Sequence, residues 1–305
     1  SESNYNKNIK ELKKIIEDSS KEIKIKKNKK KLKKIIIKSN TSKKQFKKNV
    51  SIAKKHIELG DIFQVVLSQR FEAKLQKKPL EIYKKIRKTN PSPFLYFINY
   101  DDFQIVGSSP EILVRVKDNK ITIRPIAGTR PRGKNKQKDN SLQKELLADP
   151  KEISEHLMLL DLGRNDVGKF SETGTVKVDS QFKIEKYSHV MHIVSNVTGT
   201  LKKNSSLIDV LMSGFPAGTV SGAPKIRAME IIDSLEKSKR KLYAGGIGYF
   251  SPKNNMDTCI ALRTAIVKNN KVYIQAGAGI VADSNPEKEY QETLNKAKAL
   301  IEASK

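Results

Sequence analysis

Four strand-like runs crowd into residues 94–125, and so tight a succession leaves few topologies open. They cover 94–100, 103–108, 111–116 and 120–125, after a break at Pro91-Ser92-Pro93. Runs this close pair as antiparallel hairpins, because a parallel neighbour needs a crossover of about a dozen residues or more. Elsewhere strands alternate irregularly with helices. Helical patterns are predicted at 43–60 (stopped by Gly60), 80–89, from Pro150 onward, at 205–212, 224–235 and 286–303. Further strands are predicted at 61–71, around Lys177, and at 190–197, 245–250, 258–267 and 271–275, with the Gly- and Lys-rich 128–140 as a loop. The pattern predicts an α+β fold with an antiparallel core flanked by helices, not a βαβ repeat. No internal repeat or Gly/Ser linker divides residues 46–305, which are expected to form one domain. Residues 1–45 are a lysine-rich, low-complexity segment, with helical spacing at Ile9, Leu12, Ile15 and Ile16 and a strand expected at 33–39.

The formal net charge of +27 invites a nucleic-acid reading, but its distribution argues against one. Residues 1–50 hold 18 Lys against 5 acids, and only 10 of the 60 basic residues are Arg. Arg is the residue favoured for reading bases and clamping phosphates. The Lys excess lies beside Ile and Asn without aromatic interleaving, so no specific nucleic-acid partner is expected, only loose polyanion binding at low salt. No apolar stretch approaches the roughly 18 residues of a membrane helix, and no apolar leader follows Ser1. The single Cys259 lies in an apolar run, where it reads as a small core residue. These features predict a cytoplasmic protein without membrane association.

Two proline-started helices repeat one arrangement. Asp149-Pro150 opens the first, with Glu152 and Glu155 three residues apart on one face; Asn285-Pro286 opens the second, with Glu289 and Glu292 likewise spaced. Acids in a first turn often only complement the helix dipole or close a capping box. Two such pairs together also suit a hard, oxygen-liganded cation such as Mg²⁺. The glycine-rich 218–225 segment matches neither nucleotide fingerprint, but it places Lys225 at a helix start as a candidate anion site. Taken alone, Glu111 reads as the end of a strand, and His192 as a satisfied core histidine in an apolar run.

Ten stretches resemble the chorismate-utilising enzymes, and among them the anthranilate synthase large subunits. They are GDIFQVVLSQRF (60–71), NPSPFLYF (90–97), GSSPEILV (107–114), RPIAGTRPRG (124–133), EISEHLMLLDLGRNDVG (152–168), YSHVMHIVS (187–195), FPAGTVSGAPKIRAMEII (215–232), YAGGIGYF (243–250), DTCIALRTA (257–265) and QAGAGIVADSNPEKEYQET (275–293). The resemblance implies a large antiparallel β-sandwich flanked by helices. It also implies a lyase that converts chorismate and ammonia to anthranilate and pyruvate in tryptophan biosynthesis, with a glutamine amidotransferase partner supplying the ammonia.

It further implies a role for each site residue. One Mg²⁺ is expected on Glu155 and Glu292, with Glu152 and Glu289 acting through bound waters. The amides of Gly277, Ala278 and Gly279, with Lys296, are expected at the ring carboxylate of chorismate. Arg263 and Tyr243 are expected at its enolpyruvyl carboxylate, and Gly128 and Thr129 line the pocket. Glu111 is the expected general acid for the departing C4 hydroxyl, since hydroxide is a poor leaving group. His192 assists the loss of pyruvate.

Two positions separate the sister enzymes. Isochorismate and salicylate synthases carry a Lys base where this chain has Gln64, and a neutral amide cannot deprotonate water. Aminodeoxychorismate synthases, the nearest alternative, typically carry Lys where Ala127 stands. Typical large subunits are longer, and of their tryptophan feedback site only the side around Pro91, Ser92, Pro93 and Leu95 is found here. A fragment or truncated form with weakened or absent tryptophan inhibition is therefore expected. Whether the amidotransferase still docks is left open by the sequence.

Overall fold

The computed structural model describes residues 2–20, 36–187 and 190–305. The chain divides into two units, Ser1–Lys33 and Lys34–Lys305. The described part of the first is one helix, α1 (Glu2–Ser20), over the segment whose apolar spacing predicted it. Of the strand expected at 33–39, only β1 (Lys38–Ser39) forms; residues 33–35 lie outside the described residues.

The second unit continues with α2 (Lys43–Glu58), β2 (Gln64–Lys74), α3 (Pro79–Thr89), β3 (Phe94–Asn99) and β4 (Gln104–Ser109). Next come β5 (Ile112–Lys117), β6 (Lys120–Ile123), β7 (Ile126–Pro131), α4 (Lys136–Ala148) and α5 (Pro150–Gly168). They are followed by β8 (Lys177–Lys186), β9 (Val190–Thr200), α6 (Leu207–Gly214), a 3-10 turn at Gly218–Val220, β10 (Gly222–Ala223) and α7 (Lys225–Leu235). The chain closes with β11 (Gly246–Ser251), β12 (Asn255–Ile260), β13 (Thr264–Lys268), β14 (Lys271–Ile280) and α8 (Pro286–Ser304).

All strand pairs are antiparallel and fall into two sheets. The first runs β1-β2-β14-β13-β4-β3, with β10 also on β2; the second runs β11-β12-β5-β6-β9-β7, with β8 also on β9. The hairpins predicted at 94–125 form, but the succession splits between the sheets after β4. The chain crosses at Pro110-Glu111 and returns through Ala261, Leu262 and Arg263. The two crossings are tied together: Ile260 N–H donates to the Glu111 carbonyl (3.0 Å), Ser109 Oγ donates to the Ile260 carbonyl (2.6 Å), and Ser108 N–H donates to the Arg263 carbonyl (3.2 Å). Glu111 and Arg263 are thus fixed beside each other where one sheet hands over to the other.

Each sheet buries a face against helices. On the first, Phe71, Val106, Val267 and Ile274 pack with Ile82 and Ile86 of α3 and Ala297 and Leu300 of α8. On the second, Val114, Val116, Ile121 and Val197 pack with Leu160 and Val167 of α5 and Val210 of α6. Fully burying one such side chain is worth about 1.5–3 kcal/mol, so these faces fix where α5 and α8 stand. Among the described residues no helix is long and apolar enough to cross a membrane.

Two local expectations are corrected. Residues 128–140 are not one loop, because β7 pairs with β9 over most of its length and Asn135 caps α4 through its side chain. The run at 258–267 is not one strand: Arg263 takes φ +47° where the chain changes sheets.

Candidate active site

Helices α5 and α8 start as the sequence predicts. The Asp149 side chain accepts from Lys151 N–H (3.0 Å) and Glu152 N–H (3.5 Å), and Asn285 Oδ1 accepts from Glu287 N–H (2.9 Å) and Lys288 N–H (3.1 Å). Both caps aim acids from the first two turns at one region. Burial raises the Glu155 carboxyl above its ordinary range, and the charges of Glu152 and Glu292 push it further. Burial likewise raises Glu289, with Glu292 adding to it. Four carboxylates from distant segments therefore feel one another, as the spacing suggested.

Cations on the chain itself satisfy two of them. Arg130 donates to Glu152 (2.8 Å) while also holding Asp149 and Glu145, so Glu152 does not close a capping box. Lys296 pairs with Glu292 at 2.6 Å and donates to the Gly277 carbonyl at 3.1 Å. As they stand, no three acidic, His or Cys side chains among the described residues are gathered closely enough to hold a metal ion. The donor set nonetheless fits a hard divalent cation: mutually repelling carboxylates favour charge neutralisation. The Glu292–Lys296 pair has about half of each side chain exposed, so it opposes rearrangement by no more than ~1 kcal/mol.

Strand β14 supplies backbone at the centre. A side chain on Gly277 would meet the Tyr243 hydroxyl at 2.7 Å, and one on Gly279 would meet Gln64 Nε2 at 2.7 Å. Only glycine lets the strand approach these groups this closely; Ala278 between them is fully buried. Gln64 Nε2 donates to Glu155 at 3.1 Å, while Gln64 Oε1 is buried without a hydrogen-bond partner.

On the other side, His192 of β9 lies opposite Thr129 of β7. Its Nδ1 lies 2.9 Å from the Gly128 carbonyl and 3.1 Å from Thr129 Oγ1. A carbonyl only accepts, so Nδ1 carries the proton and Nε2 keeps a free lone pair. Burial lowers the His192 pKa, and the charges of Arg263 and Lys296 lower it further. Arg263 keeps its left-handed backbone because the crossing between sheets demands it, a strain of about 1–3 kcal/mol.

Glu111 completes the cluster. It is 7% exposed, and burial pushes its carboxyl up to about 7; the Thr219 hydroxyl, Lys296 and Arg263 only partly offset this. Tyr243 is likewise pushed up to about 12 by burial. A buried acid that is half protonated near neutral pH, facing two cations, can donate a proton to a leaving group on an anionic substrate held by those cations.

The structure thus brings together Gln64, Glu111, Gly128, Thr129, Glu152, Glu155, His192, Tyr243, Arg263, the 277–279 backbone, Glu289, Glu292 and Lys296. It does not bring in Pro91, Ser92, Pro93 or Leu95, which lie at or just before the edge strand β3. Lys225 is corrected as an anion site, because its ammonium is spent on the buried Asp166 at 2.7 Å. Three contributors lie inside the matching stretches but were given no role there: Arg130, Thr219, and Tyr187, whose ring meets that of His192 edge-on at 5.6 Å. Thr219 lay inside a glycine-rich segment already singled out, but for its lysine.

Comparison with known proteins bears on the family and the fold. The chorismate binding enzyme family matches residues 1–302. The chain is 56% identical over 268 residues to an anthranilate synthase component 1 of Cereibacter sphaeroides, covering 88% of this chain and 54% of that protein. It is 53% identical over 266 residues to the one of Aquifex aeolicus, covering 87% and 54%. The chain therefore spans about half the length of the curated relatives it matches. Among solved structures it is similar to anthranilate synthase component I of Streptococcus pneumoniae, with TM-score 0.87 and 45% identity over 95% of this chain and 65% of that one. The menaquinone-specific isochorismate synthase of Escherichia coli shares the fold, with TM-score 0.81 and 25% identity over 90% and 65%. With the family match running nearly end to end and relatives more than 50% identical over most of its length, the chain belongs to the chorismate binding enzymes.

Proposed function

We propose that this chain carries the lyase centre of an anthranilate synthase, converting chorismate and ammonia to anthranilate and pyruvate. The observation that carries the reading is Glu111, a buried acid protonating near pH 7 and facing Arg263 and Lys296. Arg263 and Tyr243 hold the enolpyruvyl carboxylate, and the amides of Gly277, Ala278 and Gly279 with Lys296 hold the ring carboxylate. Gly128 and Thr129 form the wall beside them. Glu111 protonates the departing C4 hydroxyl as ammonia adds at C2. His192, neutral and protonated on Nδ1, offers Nε2 to take the C2 proton as pyruvate leaves and the ring becomes aromatic.

Glu155 and Glu292 would hold Mg²⁺ directly, with Glu152 and Glu289 ordering its waters. When bound, the ion neutralises these acids and the ring carboxylate and fixes the ring in place. Gln64, already donating to Glu155, supplies no base to activate water, which argues against hydroxylation. Ala127, buried on β7, offers no amine nucleophile, which argues against the aminodeoxychorismate route. A glutamine amidotransferase is the proposed ammonia source, and the cytoplasm the proposed location.

The test is fluorescence detection of anthranilate from chorismate and ammonium, with and without Mg²⁺. Magnesium-dependent anthranilate is the expected product. Aminodeoxychorismate or isochorismate in its place overturns the reading.

A further inference from the structure

Behind Glu111 lies a half-open cavity of about 30 Å³, lined among others by Arg124, Gly163, Asp166, Gly218 and Thr219. Of the residues assigned to chorismate, ammonia addition or the metal, only Glu111 also borders this cavity. The acid therefore forms a partition, with the substrate region and its Arg263 and Lys296 on one side and a second, mostly apolar space with a few polar groups on the other. Thr219 stands on that second side. Its hydroxyl is buried and has no hydrogen-bond partner of regular geometry, yet it is close enough to favour the ionised form of Glu111. An unpartnered buried hydroxyl is costly and calls for an occupant able to donate and accept. Farther along, Asp166 is 4% exposed and paired with Lys225. Arg124 is partly exposed and paired with Glu185.

We infer that Thr219 relays protons from water in this cavity to Glu111, restoring the acid after each turnover. The inference rests on the lyase reading above. Glu111 gives its proton to the C4 hydroxyl, which departs as water, and is left a carboxylate. The ammonia that adds at C2 releases one proton to solvent. The whole step is proton-neutral only if Glu111 takes one back. In the return, the Thr219 O–H bond breaks toward the carboxylate while the same oxygen takes a proton from cavity water. The resulting hydroxide is neutralised through solvent by the proton the amine released. A return through the substrate side is disfavoured, because Arg263 and Lys296 repel an incoming positive charge and the substrate fills the way. On the cavity side Arg124 is paired with Glu185, and Lys225 and Lys169 are both held by the Asp166 carboxylate, so each of these cations already has an acidic partner.

Thr219→Val keeps the shape and removes the relay; Thr219→Ser keeps the hydroxyl. With ammonium, chorismate and Mg²⁺, the valine variant is expected to lose about tenfold in kcat, the low end of a general-acid contribution, with KM for chorismate held. Its solvent isotope effect on kcat should rise, small buffer acids such as imidazolium should restore part of the rate, and the serine variant should behave as wild type. Unchanged kcat, a loss confined to KM, or recovery by extra ammonium alone overturns the relay; the last result makes the cavity a route for ammonia. If the wild-type chain forms no anthranilate, the lyase reading fails separately. The relay is then read in the free protein from the Glu111 carboxyl band by infrared titration. Thr219→Val should raise the midpoint, and an unmoved midpoint overturns the contact on which the relay depends.

Discussion

Glu111 keeps its proton to about pH 7 because burial penalises the carboxylate more than Thr219, Lys296 and Arg263 relieve it. Activity that needs the protonated form should fall as pH rises through that value, and Glu111→Gln should lose about a hundredfold or more in kcat. Stability carries the same sign. A carboxyl whose folded pKa is raised favours folding below its unfolded pKa, near 4.5, and that contribution is lost as pH rises through about 7. Glu111→Gln should therefore be the more stable protein at pH 8, by an amount on the order of 3 kcal/mol, readable in urea titrations. His192 gives a second expectation at this scale. Its pKa is lowered by burial and by Arg263 and Lys296, so it stays neutral and keeps Nε2 free as a base in the pH range where Glu111 works. His192→Gln should slow pyruvate loss, so that an aminated intermediate retaining the enolpyruvyl group accumulates and is seen by chromatography. Much of this was legible from motifs, because Glu111, Arg263 and His192 each stand in a long matching stretch. Thr219 and Arg130 stand in such stretches too, but a threonine next to glycines and one more arginine are unremarkable until the fold sets them against Glu111 and Glu152.

Element by element, legibility followed local chemistry. Asp149 and Asn285 read as caps because each precedes proline, and the side-chain oxygen of each accepts from two N–H groups of the first helical turn. Strand β7 escaped because Gly128 and Pro131 weaken any local strand signal, and only pairing with β9 makes it a strand. The break at Ala261, Leu262 and Arg263 escaped because apolar residues continue through it, and a change of sheet leaves no periodicity of its own. The metal expectation also belongs to this scale, since α5 and α8 are separate helices whose acids repel across a gap. A divalent ion joining them should stabilise the fold. At Mg²⁺ one hundred times its dissociation constant the gain is about 2.7 kcal/mol, or roughly 5 °C in melting temperature for a domain this size. Differential scanning calorimetry should show that rise in wild type and its loss in Glu155→Gln or Glu292→Gln. An equal rise in both variants would place the ion elsewhere.

The whole molecule carries a formal charge of +27, and its proposed substrate is a dicarboxylate. Long-range attraction of that kind acts on encounter, not on the chemical step, and salt screens it beyond about 8 Å at physiological ionic strength. Once chorismate is bound, its carboxylates meet Arg263 and Lys296 at short range, where added salt intervenes far less. Raising KCl from low to high concentration should therefore lower kcat/KM for chorismate several-fold while leaving kcat nearly constant. Neutralising exposed lysines outside the site, for example Lys74, Lys117 and Lys253, should flatten the salt dependence without changing kcat. Two outcomes would show that the excess charge serves no steering role: kcat/KM insensitive to salt, or a slope that persists after those lysines are removed. The first would also mean that a step after encounter limits capture, and pre-steady-state binding measured by protein fluorescence at two salt concentrations would separate the cases.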